Sequence, residues 1–210
     1  MPPLPFTDSD GHKSLFERVQ FAISRLQEES DIEFKRSEPW ESLRYSVTRS
    51  ALAMANLSGG GIVLIGVNQQ DDAWMLDGMS ESHLATYQPD IVLDQINAFA
   101  SPNVKLILAR HEIEASKEIL VLEIQPFFDI PVVCKKNGPD GKGLVSGTIY
   151  IRPLGGKPES RPIRTAEEAH MLLERAAEVR STDFLQKTRR LGLQSKADDL
   201  EKFTQELGDL

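Results

Sequence analysis

One cysteine, Cys134, stands in the 210 residues, so no disulfide can form within the chain, and a reducing compartment suits it. No apolar run approaches the ~20 residues needed to cross a bilayer, so no membrane partner is expected. The first ten residues have neither the basic start nor the apolar stretch of a signal peptide, which makes the cytoplasm the expected location. Positive charge is also scarce: 24 Lys and Arg against 32 Asp and Glu leave a net charge of −8. Proteins that coat nucleic acid by bulk attraction are usually basic overall, so that class is disfavoured, whereas a local basic groove on an acidic body is not. His12, His83, His111 and His170 show no metal-ligand spacing to one another or to Cys134. A Gly-x-Ser-x-Gly nucleophile elbow and a Walker Lys-Ser/Thr are both absent.

Hydrophobic residues make up 40%, enough for a real core. Residues 1–12 read as a flexible leader, 13–180 as one domain and 181–210 as a C-terminal helical tail. Leu15, Phe16, Val19, Ala22, Ile23 and Leu26 recur at helical spacing over 13–27. Alternation over 31–35 predicts a half-buried strand, with Glu33 and Lys35 on the face opposite Ile32 and Phe34. A helix follows from Ser37, with Trp40, Leu43, Val47, Ala51 and Met54 as its apolar stripe, and Asn56 with Gly59, Gly60 and Gly61 stops it. The apolar run 62–67 has the composition of a central buried strand, and 68–77 reads as a polar loop. A helix is predicted over 91–100, and strands over 104–109, 119–125, 132–135 and 148–152. Thr165 with Glu168 makes a capping-box pattern for a helix running to about Arg190. Four strands arrive without helices between them, so the order predicts a mixed α/β (α+β) domain with a mixed sheet flanked by helices, not a doubly wound parallel sheet.

Three constellations could carry chemistry. Glu28 and Glu33 could hold a hard divalent cation such as magnesium or manganese, with Lys35 steadying a phosphate, although a Glu-x-Lys alternation also describes a solvated, salt-bridged strand face. The glycines after Ser58 follow a helix and precede a strand, the wrong order for a nucleotide-binding loop, and read as a helix cap. Basic residues are scattered at Lys35, Arg36, Arg44, Arg49, Lys135, Lys136, Lys142, Arg152, Lys157, Arg161 and Arg164. The loop that carries Arg152, Lys157, Arg161 and Arg164 contains Gly155 and Gly156 and could follow a phosphate backbone. Cys134, next to Val132 and Val133, reads as a buried structural thiol, and Trp40 as core.

Several of these segments together resemble the Schlafen AlbA_2 domain, also labelled divergent AAA-4. The likeness rests on consecutive Glu29, Ser30, Asp31, Ile32, Glu33, Phe34 and Lys35, then on Ala55 and Asn56 leading to the three glycines, then on Ile62 through Gly66 and Val67. Gly78, Pro131 and the Tyr150, Ile151, Arg152 run fall where that family has similar features, and the likeness spans residues 28–175. It implies a mixed α/β domain that binds RNA or DNA. Some Schlafen proteins are metal-dependent endoribonucleases with three acidic residues, two in a Glu-x4-Glu-Phe-Lys segment and one just after the Gly-Val strand. Glu28 and Glu33 match the first two by spacing, but the third position holds Asn68. Asparagine coordinates through its carbonyl yet adds no negative charge, so metal affinity should drop; Asp71 or Asp72 substitutes only if the loop folds back.

The preferred expectation is a nucleic-acid-binding module, RNA favoured over DNA, with phosphate contacts from Lys35, Arg36, Arg44, Arg49, Arg152, Lys157 and Arg161. The alternative is an endoribonuclease in which Glu28 and Glu33, with Asn68, hold magnesium or manganese and Lys35 assists catalysis; no cofactor is expected otherwise. A third expectation, a protein-interaction or assembly subunit with a homo-oligomer or protein partner, draws on the acidic surface and the long helix after Thr165.

Overall fold

The computed structural model describes residues 14–190 apart from 72, 115–116, 140–142, 154 and 156–157. In chain order these form α1 (Leu15–Arg25), β1 (Ile32–Lys35), α2 (Trp40–Ala55), β2 (Gly61–Ile65), β3 (Val67–Gln70), β4 (Ala73–Leu76), α3 (Glu81–Leu84) and α4 (Pro89–Asn97). They continue with β5 (Ala100–Ser101), β6 (Leu106–Glu114), β7 (Lys117–Ile124), β8 (Val133–Cys134), β9 (Tyr150–Ile151), β10 (Arg161–Pro162) and α5 (Ala166–Arg190). The domain is mixed α+β, as its sequence predicts.

The main sheet has the order β1-β2-β7-β6. β1 and β2 run parallel, with Glu33 beside Val63 and Lys35 beside Ile65, because α2 carries the chain back between them. β2, β7 and β6 are antiparallel. The pleat divides the core. Val63, Ile65, Leu120, Leu122 and Ile124 face α2, where Val47, Ala51 and Met54 are wholly buried. Ile62, Leu64, Ile119 and Val121 face α1, where Val19 and Ala22 meet Ile32 and Phe34. Each such aliphatic side chain contributes about 1.5–3 kcal/mol on burial. The small residues of α2 let its backbone approach the sheet closely.

Residues 68–77 depart from the predicted loop. They complete a β-hairpin, β3 with β4, in which Gln70 pairs with Ala73 and Asp71 takes a left-handed φ of 47° at the turn. Val67, Trp74 and Leu76 pack on the α1 side, Trp74 edge-on to Phe34 at 5.2 Å, so a polar-looking segment carries a half-apolar face. Gly66, at φ 108°, makes the bend from β2 into β3, where a Cβ would stand 2.9 Å from the Gly78 carbonyl carbon. α3, capped by Ser80, was not predicted; one turn of helix leaves too little periodicity to read. Residues 1–12 and 191–210 lie outside the described residues. Among the described residues no helix is long and apolar enough to cross a membrane.

Candidate nucleic-acid interface

β1 is an edge strand, and its alternation sends Glu33 and Lys35 toward α2 while Ile32 and Phe34 enter the core beneath α1. Glu33 is buried, at 7% exposure, beside an Arg152 exposed by only 2%. Its Oε2 accepts from Arg152 Nη1 at 2.5 Å, and its Oε1 contacts Lys35 Nζ. The Ser50 side chain of α2 also favours the charged carboxylate. Burial alone would push the Glu33 carboxyl up, but Lys35, Arg152 and Ser50 outweigh it and hold it below the usual carboxylate range. Glu28 stands close enough to feel this cluster. Burial raises its carboxyl, the Phe34 N–H donated to Oε1 at 3.0 Å opposes the rise, and the Glu33 charge adds to it.

Arg152 does not face solvent. Its Nε donates to Ser30 O at 2.6 Å, Nη1 also reaches Ser160 Oγ at 3.3 Å, and Nη2 reaches Glu29 O, Ile32 O and Pro158 O at 3.0, 3.2 and 3.0 Å. Every N–H of the guanidinium is thereby engaged, so the phosphate contact anticipated for Arg152 gives way to a structural one: it ties the 158–160 segment to the outer edge of β1. Among the described residues no strand lies beside that edge. Three of its outward peptide groups are met by other partners: Ile32 N–H by Glu29 O, Ile32 O by Arg152, and Phe34 N–H by the Glu28 carboxylate.

These residues do not fit a metal centre. Both Glu33 oxygens are in contact with cationic side chains, and one Glu28 oxygen holds the β1 backbone. Asn68 lies half-buried on β3 opposite Met75, beyond the bend at Gly66. Among the described residues no three His, Cys, Asp or Glu side chains converge. Asp71 sits at the far turn of the β3–β4 hairpin, and Asp72 is outside the described residues.

The other basic residues separate into groups. Arg36 is largely exposed and paired with Glu38. Arg161 is tied to Glu168 at 2.5 Å, and that hydrogen bond, with backbone N–H groups of Arg164 and Thr165, holds Glu168 at about 2. This pair completes the N-terminal cap of α5, where Glu168 N donates to Thr165 Oγ1. Arg49 of α2 lies against Gly143, with its Nε buried and lacking a hydrogen-bond partner. Lys157 is outside the described residues.

Arg44 belongs to an arrangement that sequence spacing did not disclose. Its guanidinium carbon stands 4.5 Å from the Tyr45 ring centre. Tyr45 meets Phe99 edge-on at 5.9 Å, and Lys136 Nζ lies 4.6 Å over Phe99. Two cations, of which Arg44 is also paired with Glu41 at 2.9 Å, and two aromatic rings thus form a ledge along α2 and the end of α4. The Lys135 N–H donated to Phe99 O at 2.8 Å brings the 135–136 segment there. The adjacency of Arg44 and Tyr45 was the only visible signal; Phe99 and Lys136 join them through tertiary pairing of β5 with β8. Cys134 is buried, its thiol pushed up by burial, and Trp40 is core with Nε1 bonded to Gln95 at 2.9 Å.

The family model described as Schlafen, AlbA_2 matches residues 28–158. None of the curated proteins matches the chain in sequence. Among solved structures, the DIP2311 protein from Corynebacterium diphtheriae is similar at 14% identity and a TM-score of 0.48, over 74% of this chain and 27% of that one. The chain therefore spans about a quarter of that protein's length. The N-terminal domain of a protein described as ATP-dependent DNA helicase RecG-related, from Nitrosomonas europaea, is similar at 18% identity and a TM-score of 0.43, over 74% of this chain and 97% of that domain.

Proposed function

From the premise that the chain belongs to the Schlafen AlbA_2 family, we propose that it is a nucleic-acid-binding module that grips the sugar-phosphate backbone without cutting it. The observation that carries this reading is the ledge of Arg44, Tyr45, Phe99 and Lys136. Cations draw phosphate by releasing counterions, and ring faces beside them suit unpaired bases. Lys35 and Arg36 are held by Glu33 and Glu38, which leaves Arg49 to extend the basic character along α2. Unpaired bases are the usual targets of sequence-specific RNA recognition, which supports RNA over duplex DNA.

The second reading, a magnesium- or manganese-dependent endoribonuclease, is favoured by one observation: Glu28, Glu33 and Lys35 do share one electrostatic cluster. A bound ion would have to displace Lys35 or Arg152 from Glu33, and Asn68 would bring no charge to help it. The binding reading needs no such rearrangement.

Fluorescence anisotropy with a single-stranded RNA, a hairpin RNA and a duplex DNA, each at low and physiological salt, tests the proposal. Salt-sensitive binding that is strongest for the single strand is the expected result, with no change in RNA length when manganese is added. Absence of binding at low salt would overturn it. Manganese-dependent cleavage abolished by Glu33→Gln would put the second reading in its place.

A further inference from the structure

α5 is too lightly packed for its length. It spans 25 residues, about 37 Å of helix, yet Leu172 is its one buried residue. Ala176 and Val179 lean on the core beside it, and the Arg180 contact with Asp129 at 2.6 Å ties the middle of the helix to the body. On another side, Leu173 and Phe184 are 63% and 67% exposed. Leu173, Ala177 and Phe184 are spaced by four and then seven residues, which sets them in one stripe away from Leu172. Most helical stability in proteins comes from burying such a stripe, and here nothing in the chain's described residues covers it.

The charges of the same helix say what would. Residues 166–178 carry Glu167, Glu168, Glu174 and Glu178 against Arg175, a net charge of −3. Residues 179–190 carry Arg180, Lys187, Arg189 and Arg190 against Asp183, a net charge of +3. A parallel neighbour of the same kind would set like against like. An antiparallel one sets each half against its opposite. With Leu173 facing Phe184 of the partner copy, the acidic half of each helix lies alongside the basic half of the other. The arrangement is two-fold and therefore closed.

We propose that α5 is a self-association surface, on which a second copy of this chain docks its own α5 antiparallel, Leu173 of each against Phe184 of the other. The ledge formed by Arg44, Tyr45, Phe99 and Lys136 lies on other elements, so this inference stands independently of nucleic-acid binding.

Sedimentation velocity of the full chain over a concentration series, at low and high salt, gives the first result. A monomer–dimer equilibrium that weakens with salt is expected. Leu173→Glu or Phe184→Glu should raise the dimer Kd about tenfold or more while circular dichroism keeps the fold intact. Orientation comes from cysteines: an oxidised mixture of Leu173→Cys and Phe184→Cys chains should cross-link, and either alone should not, the buried Cys134 staying reduced. A chain that is monomeric at every concentration overturns the proposal. So does dimerisation untouched by both glutamate substitutions, which would belong to another surface, or cross-linking of Leu173→Cys alone, which would mean a parallel pair.

Discussion

Arg152 and Glu33 meet at 2.5 Å across 119 positions of sequence, both withdrawn from solvent. Such a pair is nearly neutral against an apolar substitute, but removing one member strands the other charge. Arg152→Met and Glu33→Gln should each cost about 3–5 kcal/mol in urea unfolding. The double substitution should cost less than the two losses combined, and additive losses would mean that the contact carries no coupling.

Acid should act on the two carboxylates with opposite sign. Glu33 is held below its ordinary value of 4.5, so its stabilising charge is complete above that value and is lost as pH falls through the lower folded value. Stability profiles should therefore show an acid-limb component that Glu33→Gln lacks. Glu28 is raised above 4.5, so its contribution is present below that value and is lost as pH rises through the folded one. Glu28→Gln keeps an acceptor for the Phe34 N–H and should stabilise the fold at neutral pH, an advantage that vanishes below about pH 4. A loss of stability at pH 7 would reverse this assignment.

Binding should map to the ledge and not to the 152–161 segment. Arg44→Ala and Lys136→Ala should each lower affinity and reduce the slope of log K against log salt by about one. Phe99→Leu should cost about 1–3 kcal/mol with a single strand and less with a duplex. Arg161→Ala should leave the slope unchanged and lower the melting temperature instead, because its partner Glu168 caps α5. Anisotropy and thermal scans on the same variants decide the matter.

Asn56 should prove irreplaceable by its charged isostere. Its Nδ2 donates to Val132 O and Tyr150 O at 2.9 and 3.0 Å, and its Oδ1 accepts from Val132 N at 2.8 Å. Asn56→Ala should cost about 1–3 kcal/mol for each polar group left unsatisfied. Asn56→Asp, which turns two carbonyls toward a carboxylate, should cost more than Asn56→Ala, as thermal denaturation will show.

The sequence discloses local order well. The stripes of α1 and α2, the alternation of β1, the apolar run of β2 and the cap of α5 follow from periodicity and end chemistry, which short windows contain. The hairpin of β3 and β4 was hidden because Asn68, Gln69 and Gln70 are polar, while the apolar partners Trp74 and Leu76 show their purpose only once Phe34 lies beneath them. Glu28 and Glu33 were legible as neighbours. That Arg152 would occupy one Glu33 oxygen was not, since no spacing rule links positions so far apart. A guanidinium among glycines looks the same in sequence whether it faces a phosphate or a row of carbonyls.

The covered edge of β1 also bears on how the protein behaves in a crowd. An open edge strand is a template on which another chain can lay its own backbone. Here Arg152, Glu28 and the Glu29 carbonyl stand where that intruding strand would have to bond. Damage to this rim would open an edge on which molecules could add to each other, so the residues that resemble a catalytic centre also stand guard against clumping.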